Sequence, residues 1–159
     1  MDKKIKALAL DVDGTLTDGS VMWSISGEES KKFHFLDIMG LARIVRGGIP
    51  VALISGEDNP LVDRLAAKIG IQAVYKGCRT KDAALAKFVE SVGLTLADVC
   101  FMGDDINDLP AMRVAGLSAA PCSAHASVLH EATFISERPA GFGAVRDIID
   151  RLWIELVSP

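Results

Sequence analysis

Residues 8–19 read LALDVDGTLTDG, an apolar run that ends on Asp11 and Asp13 and passes into Gly14 and Thr15. The apolar part, residues 5–10, is nearly continuous, the mark of a strand buried on both faces. A buried strand end is a costly place for charge. The acids there either turn the chain or face a cation. Residues two apart in a strand point the same way, so D-x-D aims both carboxyls at one spot.

The same pattern recurs downstream. Residues 51–54, 73–75 and 99–102 read as buried strands, with shorter ones at 117–119 and 133–135. Helical patterns lie between them. They cover 38–46, 61–69, 83–92, 108–114, 126–131 and 142–156. Asp58-Asn59-Pro60 suits the start of the second, with proline in the first turn, and Gly93 suits the end of the third. Strands alternating with helices predict an α/β fold: a Rossmann-like, doubly wound parallel sheet with helices on both faces. At 159 residues the chain reads as one domain, 1–159, with no cap domain, repeat or linker.

One segment breaks the rhythm. Val21, Met22 and Trp23 alternate toward Ile25, Ser26-Gly27 offers a turn, and residues 31–35 alternate again. This predicts a β-hairpin flap over about residues 20–35. Trp23, Phe33 and Phe35 are too large for a small solvated ribbon, and burial against another subunit is expected.

The chain is half hydrophobic but only 6% aromatic, so its core is expected to be mainly Ala, Val, Leu and Ile. A net charge of −4 argues against a general nucleic-acid surface and disfavours an anionic membrane surface. No apolar run is long enough to span a bilayer. The opening MDKK runs straight into a strand-like segment without a signal-peptide cleavage site, so a cytoplasmic location is expected. Cys78, Cys100 and Cys122 are odd in number and far apart, and read as buried structural thiols rather than disulfides or metal ligands. His34, His125 and His130 show no metal spacing.

Polar residues gather at the carboxyl ends of the strands. The first strand ends on Asp11 and Asp13. The second ends on Ser55 and Gly56, and the fourth on Asp104, Asp105 and Asp108. Lys81 sits just before the helix after the third. Each alone has an ordinary explanation: a turn, a helix cap or a solvated lysine. Together they fall on the edge where open parallel sheets bind ligands. Converging carboxylates need a cation, and hard oxygen ligands with water suit Mg²⁺. A lysine and a hydroxyl beside them suit phosphate. A carboxylate there can act as a nucleophile and form an aspartyl phosphate. A second carboxyl two residues on can protonate the leaving oxygen and then take a proton from water.

DVDGTLTDG, LISG, Lys81 and GDDIND resemble, in order and spacing, the four motifs of the haloacid dehalogenase superfamily. The hairpin with GEESKKFHFLDIMGL, the YKG, the run GDDINDLPAMRVAGLSAAPCSAH and RPAGFGAVRD extend the likeness over nearly the whole chain. They resemble the capless 3-deoxy-D-manno-octulosonate 8-phosphate phosphatase-like family, related to the 2-keto-3-deoxynononate 9-phosphate phosphatases. The resemblance implies a Mg²⁺-dependent phosphoric monoester hydrolase acting on a small-molecule sugar-acid phosphate, serving lipopolysaccharide synthesis. It also implies a homotetramer whose hairpins join and whose active sites are shared.

Carried over by position, Asp11 is the nucleophile and a metal ligand. Asp13 is the general acid and base, with its backbone carbonyl on the metal, and Asp104 is the remaining ligand. Ser55, Gly56 and Lys81 bind phosphate, and the backbone amides of Gly14 and Thr15 face the phosphoryl group. Asp108 holds the metal shell and orients Lys81. Asp105 binds a metal-bound water or caps the helix. Glu57 follows LISG where the octulosonate pattern has Arg. With Lys68 it resembles the branch acting on nine-carbon, sialic-type acids. Asp37 and Arg138 are further substrate candidates. Thr80 replaces the usual Asp before Lys81. A phosphoacceptor receiver domain is the alternative of another class, since it too joins a doubly wound sheet to clustered Asp, Lys and Mg²⁺.

Overall fold

The computed structural model describes residues 4–157. Six parallel strands form the main sheet: β1 (Ala7–Leu10), β4 (Val51–Ile54), β5 (Ala73–Tyr75), β6 (Val99–Met102), β7 (Leu117–Ala120) and β8 (Phe134–Ile135). Two further strands, β2 (Met22–Trp23) and β3 (Glu29–Ser30), pair antiparallel as a separate hairpin. The order across the main sheet is β5-β4-β1-β6-β7-β8. The chain therefore builds outward from β1 to one side, then crosses over and builds to the other. The reversal leaves a crevice beyond the carboxyl ends of β1 and β6.

The sheet is covered by α1 (Phe35–Arg46), α2 (Pro60–Ile69), α3 (Lys81–Ser91), α4 (Leu109–Val114), α5 (Ala126–Glu131), α6 (Ala144–Leu152) and α7 (Ile154–Val157). β1 shows how the two faces differ. Leu8 and Leu10 enter the core with Leu41, Ile44, Val62, Leu65, Val145 and Ile148 of α1, α2 and α6. Ala7 and Ala9 point the other way, into a core filled by Leu85 and Phe88 of α3, with Phe101 and Met112. Small strand residues on that face leave room for the two rings. Full burial of each such leucine or phenylalanine contributes about 1.5–3 kcal/mol.

The expected strands and helices are all present, with shifted edges. The second arm of the hairpin is Glu29–Ser30 rather than residues 31–35, and α1 already begins at Phe35 rather than at residue 38. The last helix breaks at Trp153, which is buried and turns the chain between α6 and α7. Phe33 does not wait for another subunit, because it packs against the chain's own core. Trp23 and Phe35 remain exposed, as do Met22 and Ile25. Among the cysteines only Cys100 is buried, while Cys78 is half-buried and Cys122 exposed. His34 and His125 serve as helix N-caps, each accepting from a backbone amide two residues on. No helix among the described residues is long and apolar enough to cross a membrane.

Candidate active site

The strand ends deliver their polar residues to one place. Asp11 follows β1 directly and is 5% exposed. Lys81 is the first residue of α3 and is 1% exposed, an unusual depth for a lysine. It earns that depth by ion pairing. Its Nζ lies 2.5 Å from Asp11 Oδ1 and 2.6 Å from Asp108 Oδ1.

Asp108 is buried and has both oxygens engaged. Its Oδ2 accepts from the backbone amides of Asp104 at 2.9 Å and Asp105 at 3.2 Å. It thereby folds the loop after β6 and fixes where Asp104 points. Gly103 makes this turn possible, since a Cβ there would fall 2.5 Å from the Asp108 side chain. Asp105 caps the following 3-10 turn, accepting from the Ile106 amide, so of its two expected roles the structure displays the cap.

Gly14 has φ +82°, and a Cβ there would lie 1.9 Å from Asp104 Oδ2. Only glycine lets the loop after β1 pass so close to the loop after β6. The Thr15 hydroxyl makes long contacts to both loops, 3.4 Å to Asp11 Oδ2 and 3.5 Å to Asp104 Oδ1. Asp11, Asp104 and Asp108 each bring a carboxylate oxygen within 4.8 Å of the others.

One ammonium does not neutralise three clustered carboxylates. Burial, then the charge of Asp108, push the Asp11 carboxyl well above its ordinary pKa, and Lys81 only partly opposes them. Asp104 is also pushed up, chiefly by burial. For Lys81, burial works against the charged form, but the charges of Asp11 and Asp108 outweigh it and the net shift is upward. The site therefore holds a stable ammonium and an excess of negative charge that favours taking up a further cation.

A cavity of about 190 Å³ opens above this cluster, walled by Asp11, Asp13, Gly56, Glu57, Lys81, Asp104, Asp105 and Asn107. Ser55, which precedes Gly56 of that wall in the chain, is buried, its hydroxyl oxygen accepting from the Glu57 amide at 3.2 Å and keeping its own hydrogen to donate. The Asp13 carboxylate, in the same wall, accepts a hydrogen bond from Lys31 Nζ at 2.6 Å.

The remaining substrate candidates are not in this wall. Lys68 lines a neighbouring hollow with Lys31, Phe33 and Arg64, and its ammonium lies over the Phe35 ring. Asp37 is committed elsewhere: it is buried, and its Oδ1 accepts from the Arg146 amide at the start of α6. Arg138 is exposed and lies against Gly143. Two wall or wall-side residues, Asn107 and Lys31, were not expected from the sequence. Asn107 lay inside the GDDIND motif, and Lys31 inside the flap with nothing to set it apart from a solvated lysine.

A family model for the haloacid dehalogenase-like hydrolases matches residues 29–116. The 3-deoxy-D-manno-octulosonate 8-phosphate phosphatase KdsC of Escherichia coli K12 is 35% identical over 150 residues, 94% of this chain and 80% of the relative. The chain belongs to the haloacid dehalogenase-like hydrolases. Within them it falls in the capless octulosonate-phosphate phosphatase family, and the receiver-domain alternative is set aside. Two solved structures share its fold closely. That of the phosphatase from Moraxella catarrhalis, in complex with magnesium ion, phosphate ion and KDO, has a TM-score of 0.91 at 33% identity, covering 94% of this chain and 86% of the other. The cobalt-bound phosphatase from Haemophilus influenzae has a TM-score of 0.90 at 33% identity, covering 94% and 88%.

Proposed function

We propose that this chain is a Mg²⁺-dependent phosphatase that hydrolyses 3-deoxy-D-manno-octulosonate 8-phosphate through an aspartyl phosphate on Asp11. The observation that carries this reading is the buried Lys81 ammonium held between Asp11 and Asp108 in the lining of an acid-walled cavity. The substrate is that of the relatives named above, of which this chain covers 80% and 86%.

The donor set fits a hard divalent cation, since it is all oxygen and carries uncompensated negative charge. Asp11 and Asp104, with the backbone carbonyl of Asp13, would hold Mg²⁺, which when bound neutralises the phosphoryl oxygens and polarises phosphorus. Lys81 and Ser55, with the Gly56 amide, bind the transferring phosphoryl oxygens. Asp11 attacks phosphorus, and Asp13 gives its proton to the leaving sugar oxygen. Asp13 then takes a proton from the water that cleaves the phosphoenzyme. Asp108 keeps Lys81 and the Asp104 loop in place. The chemistry is mostly positioning and charge stabilisation, as in phosphoryl transfer generally.

A nine-carbon, nonulosonate 9-phosphate is the second reading, favoured by one observation: Glu57 stands in the cavity wall. Arg138 remains a substrate candidate if it reaches a neighbouring subunit's cavity.

The same proposal includes a homotetramer. Its support is the hairpin, whose Met22 and Trp23 are 71% and 72% exposed and whose Ile25 is fully exposed. A two-stranded ribbon of this kind is marginal in water by itself. A cytoplasmic setting, where an exposed thiol such as Cys122 stays reduced, goes with it.

Phosphate release by the purified chain with each acid phosphate in turn, with Mg²⁺ and with EDTA, tests the reading. Fast release from the eight-carbon substrate, lost in EDTA and in Asp11→Asn, is expected. Faster release from the nine-carbon substrate moves the assignment to the second reading. Undiminished turnover in Asp11→Asn removes Asp11 from its role.

A further inference from the structure

Lys31 lies between the hairpin and α1, and no role was carried over to it from the run GEESKKFHFLDIMGL, yet its side chain has no solvent-exposed surface. Its Nζ sits 2.6 Å from Asp13 Oδ1, 3.4 Å from Glu57 Oε2 and 4.0 Å from Glu29 Oε2. These acids come from three segments: the loop after β1, the loop after β4, and β3. Glu29 in turn hydrogen-bonds Asn59, the N-cap of α2. One ammonium thus ties the stem of the flap to two loops of the cavity.

Asp13 depends on that ammonium. The Asp11 and Asp108 carboxylates are gripped by Lys81, and the Asp104 carboxylate is contacted by Thr15. Among the described residues, the Asp13 carboxylate has Lys31 as its one hydrogen-bond partner, and it is a third exposed. A short carboxyl side chain without a partner is free to occupy several staggered positions. A group that must hand a proton to a particular atom cannot wander, since productive geometry tolerates roughly 0.5 Å and 10–20°. Shielding an ammonium from water is also costly unless it is well paired. A flap stem that needed only solubility would leave this lysine in water.

We propose that Lys31 is a positioning residue that aims the Asp13 carboxyl at the leaving oxygen of the phosphoester and locks the flap stem in the same contact. The proposal rests on the reading of Asp13 as the general acid. It has a consequence that a purely structural lysine lacks. Aim matters most when the leaving oxygen is strongly basic and needs a proton, and least when it departs readily as an anion.

The experiment uses the full chain with Mg²⁺ and substituted phenyl phosphates, alike in shape but graded in leaving-group basicity. Lys31→Met is expected to lose about 3-fold or less in kcat on p-nitrophenyl phosphate. On unsubstituted phenyl phosphate it should lose about 10-fold or more, a part of the 10²–10⁴ that general acid catalysis supplies. KM should change little on either. Lys31→Arg keeps the charge and should recover most of the lost discrimination. Lys31→Gln carries the same test should the methionine variant fail to fold. An equal loss on all esters, or none, overturns the proposal. Asp13→Asn run alongside separates the two ideas. If it shows the basicity-dependent loss and Lys31→Met does not, only the role of Lys31 falls. If Asp13→Asn shows no such dependence, the reading of Asp13 falls and takes this proposal with it.

Discussion

The Lys81 ammonium lies 2.5 Å from the Asp11 carboxylate, although 70 residues separate them in the chain. That contact joins the end of β1 to the start of α3, and with Asp108 it makes a buried triad of one positive and two negative groups. Removing one member of such a group leaves uncompensated buried charge, which costs more than the group contributes when complete.

Lys81→Met is therefore expected to cost about 3–5 kcal/mol of stability at neutral pH, besides turnover. Urea unfolding with and without Mg²⁺ checks this. The variant should recover part of the loss when the cation is added, because the two acids then regain a counter-charge. A variant as stable as the parent without Mg²⁺ would mean that the triad is not a charged assembly.

Gly14→Ala tests the close approach of the two acid loops. The substitution meets both a positive φ and a Cβ position 1.9 Å from Asp104 Oδ2. The backbone alone costs about 1–2 kcal/mol in that conformation. Asp104 must also swing aside. Activity should fall by orders of magnitude, with weaker Mg²⁺ affinity by calorimetry, while most of the fold survives. A Gly14→Ala protein with the parent's Mg²⁺ affinity would contradict the observed geometry.

Asp37 provides a pH signature away from the chemistry. Burial pushes its carboxyl above the ordinary value of 3.8, against the hydrogen bonds it accepts from the backbone of α6. Its Oδ2 is buried without a partner among the described residues. The folded chain thus holds this proton at a pH where the unfolded chain has released it. The group costs nothing below 3.8 and costs stability as pH rises from there through the raised value. Asp37→Asn cannot ionise, so its stability relative to the parent should climb across that window and then level off. Urea midpoints at a series of pH values read the difference, and a flat difference would show that this carboxyl is not perturbed.

Trp23→Glu addresses assembly. The indole lies on the exposed hairpin, where its Nε1 donates to Glu29. A second carboxylate in its place should break the proposed tetramer into smaller species in sedimentation velocity, with the monomer's core unaffected. An unchanged sedimentation coefficient would place the subunit contacts elsewhere.

What the sequence disclosed, and what it hid, divides along physical lines. The strands were legible because Leu8, Leu10, Leu53 and Phe101 are buried in short apolar runs, and the acids because they follow those runs directly. The start of α1 was not, because Phe35 and Leu36 are exposed and give no inward-facing period. Asp37 looked available for substrate because its true partner, the Arg146 amide, is 109 residues away. Lys31 was invisible for a similar reason: its two nearer carboxylates, on Asp13 and Glu57, are 18 and 26 residues away in the chain.

Every residue in the cavity wall falls between positions 11 and 107, while β7, β8 and α4 through α7 come later and support the wall from behind, as where the His125 amide donates to the Asp104 carbonyl at 2.8 Å. The polypeptide is thus split between a front portion that lines the cavity and a rear portion that braces it. Substitutions drifting into the rear of a monomer would register as changes in melting temperature before they registered as changes in turnover. That part of the chain is the place to engineer ruggedness without re-tuning the reaction.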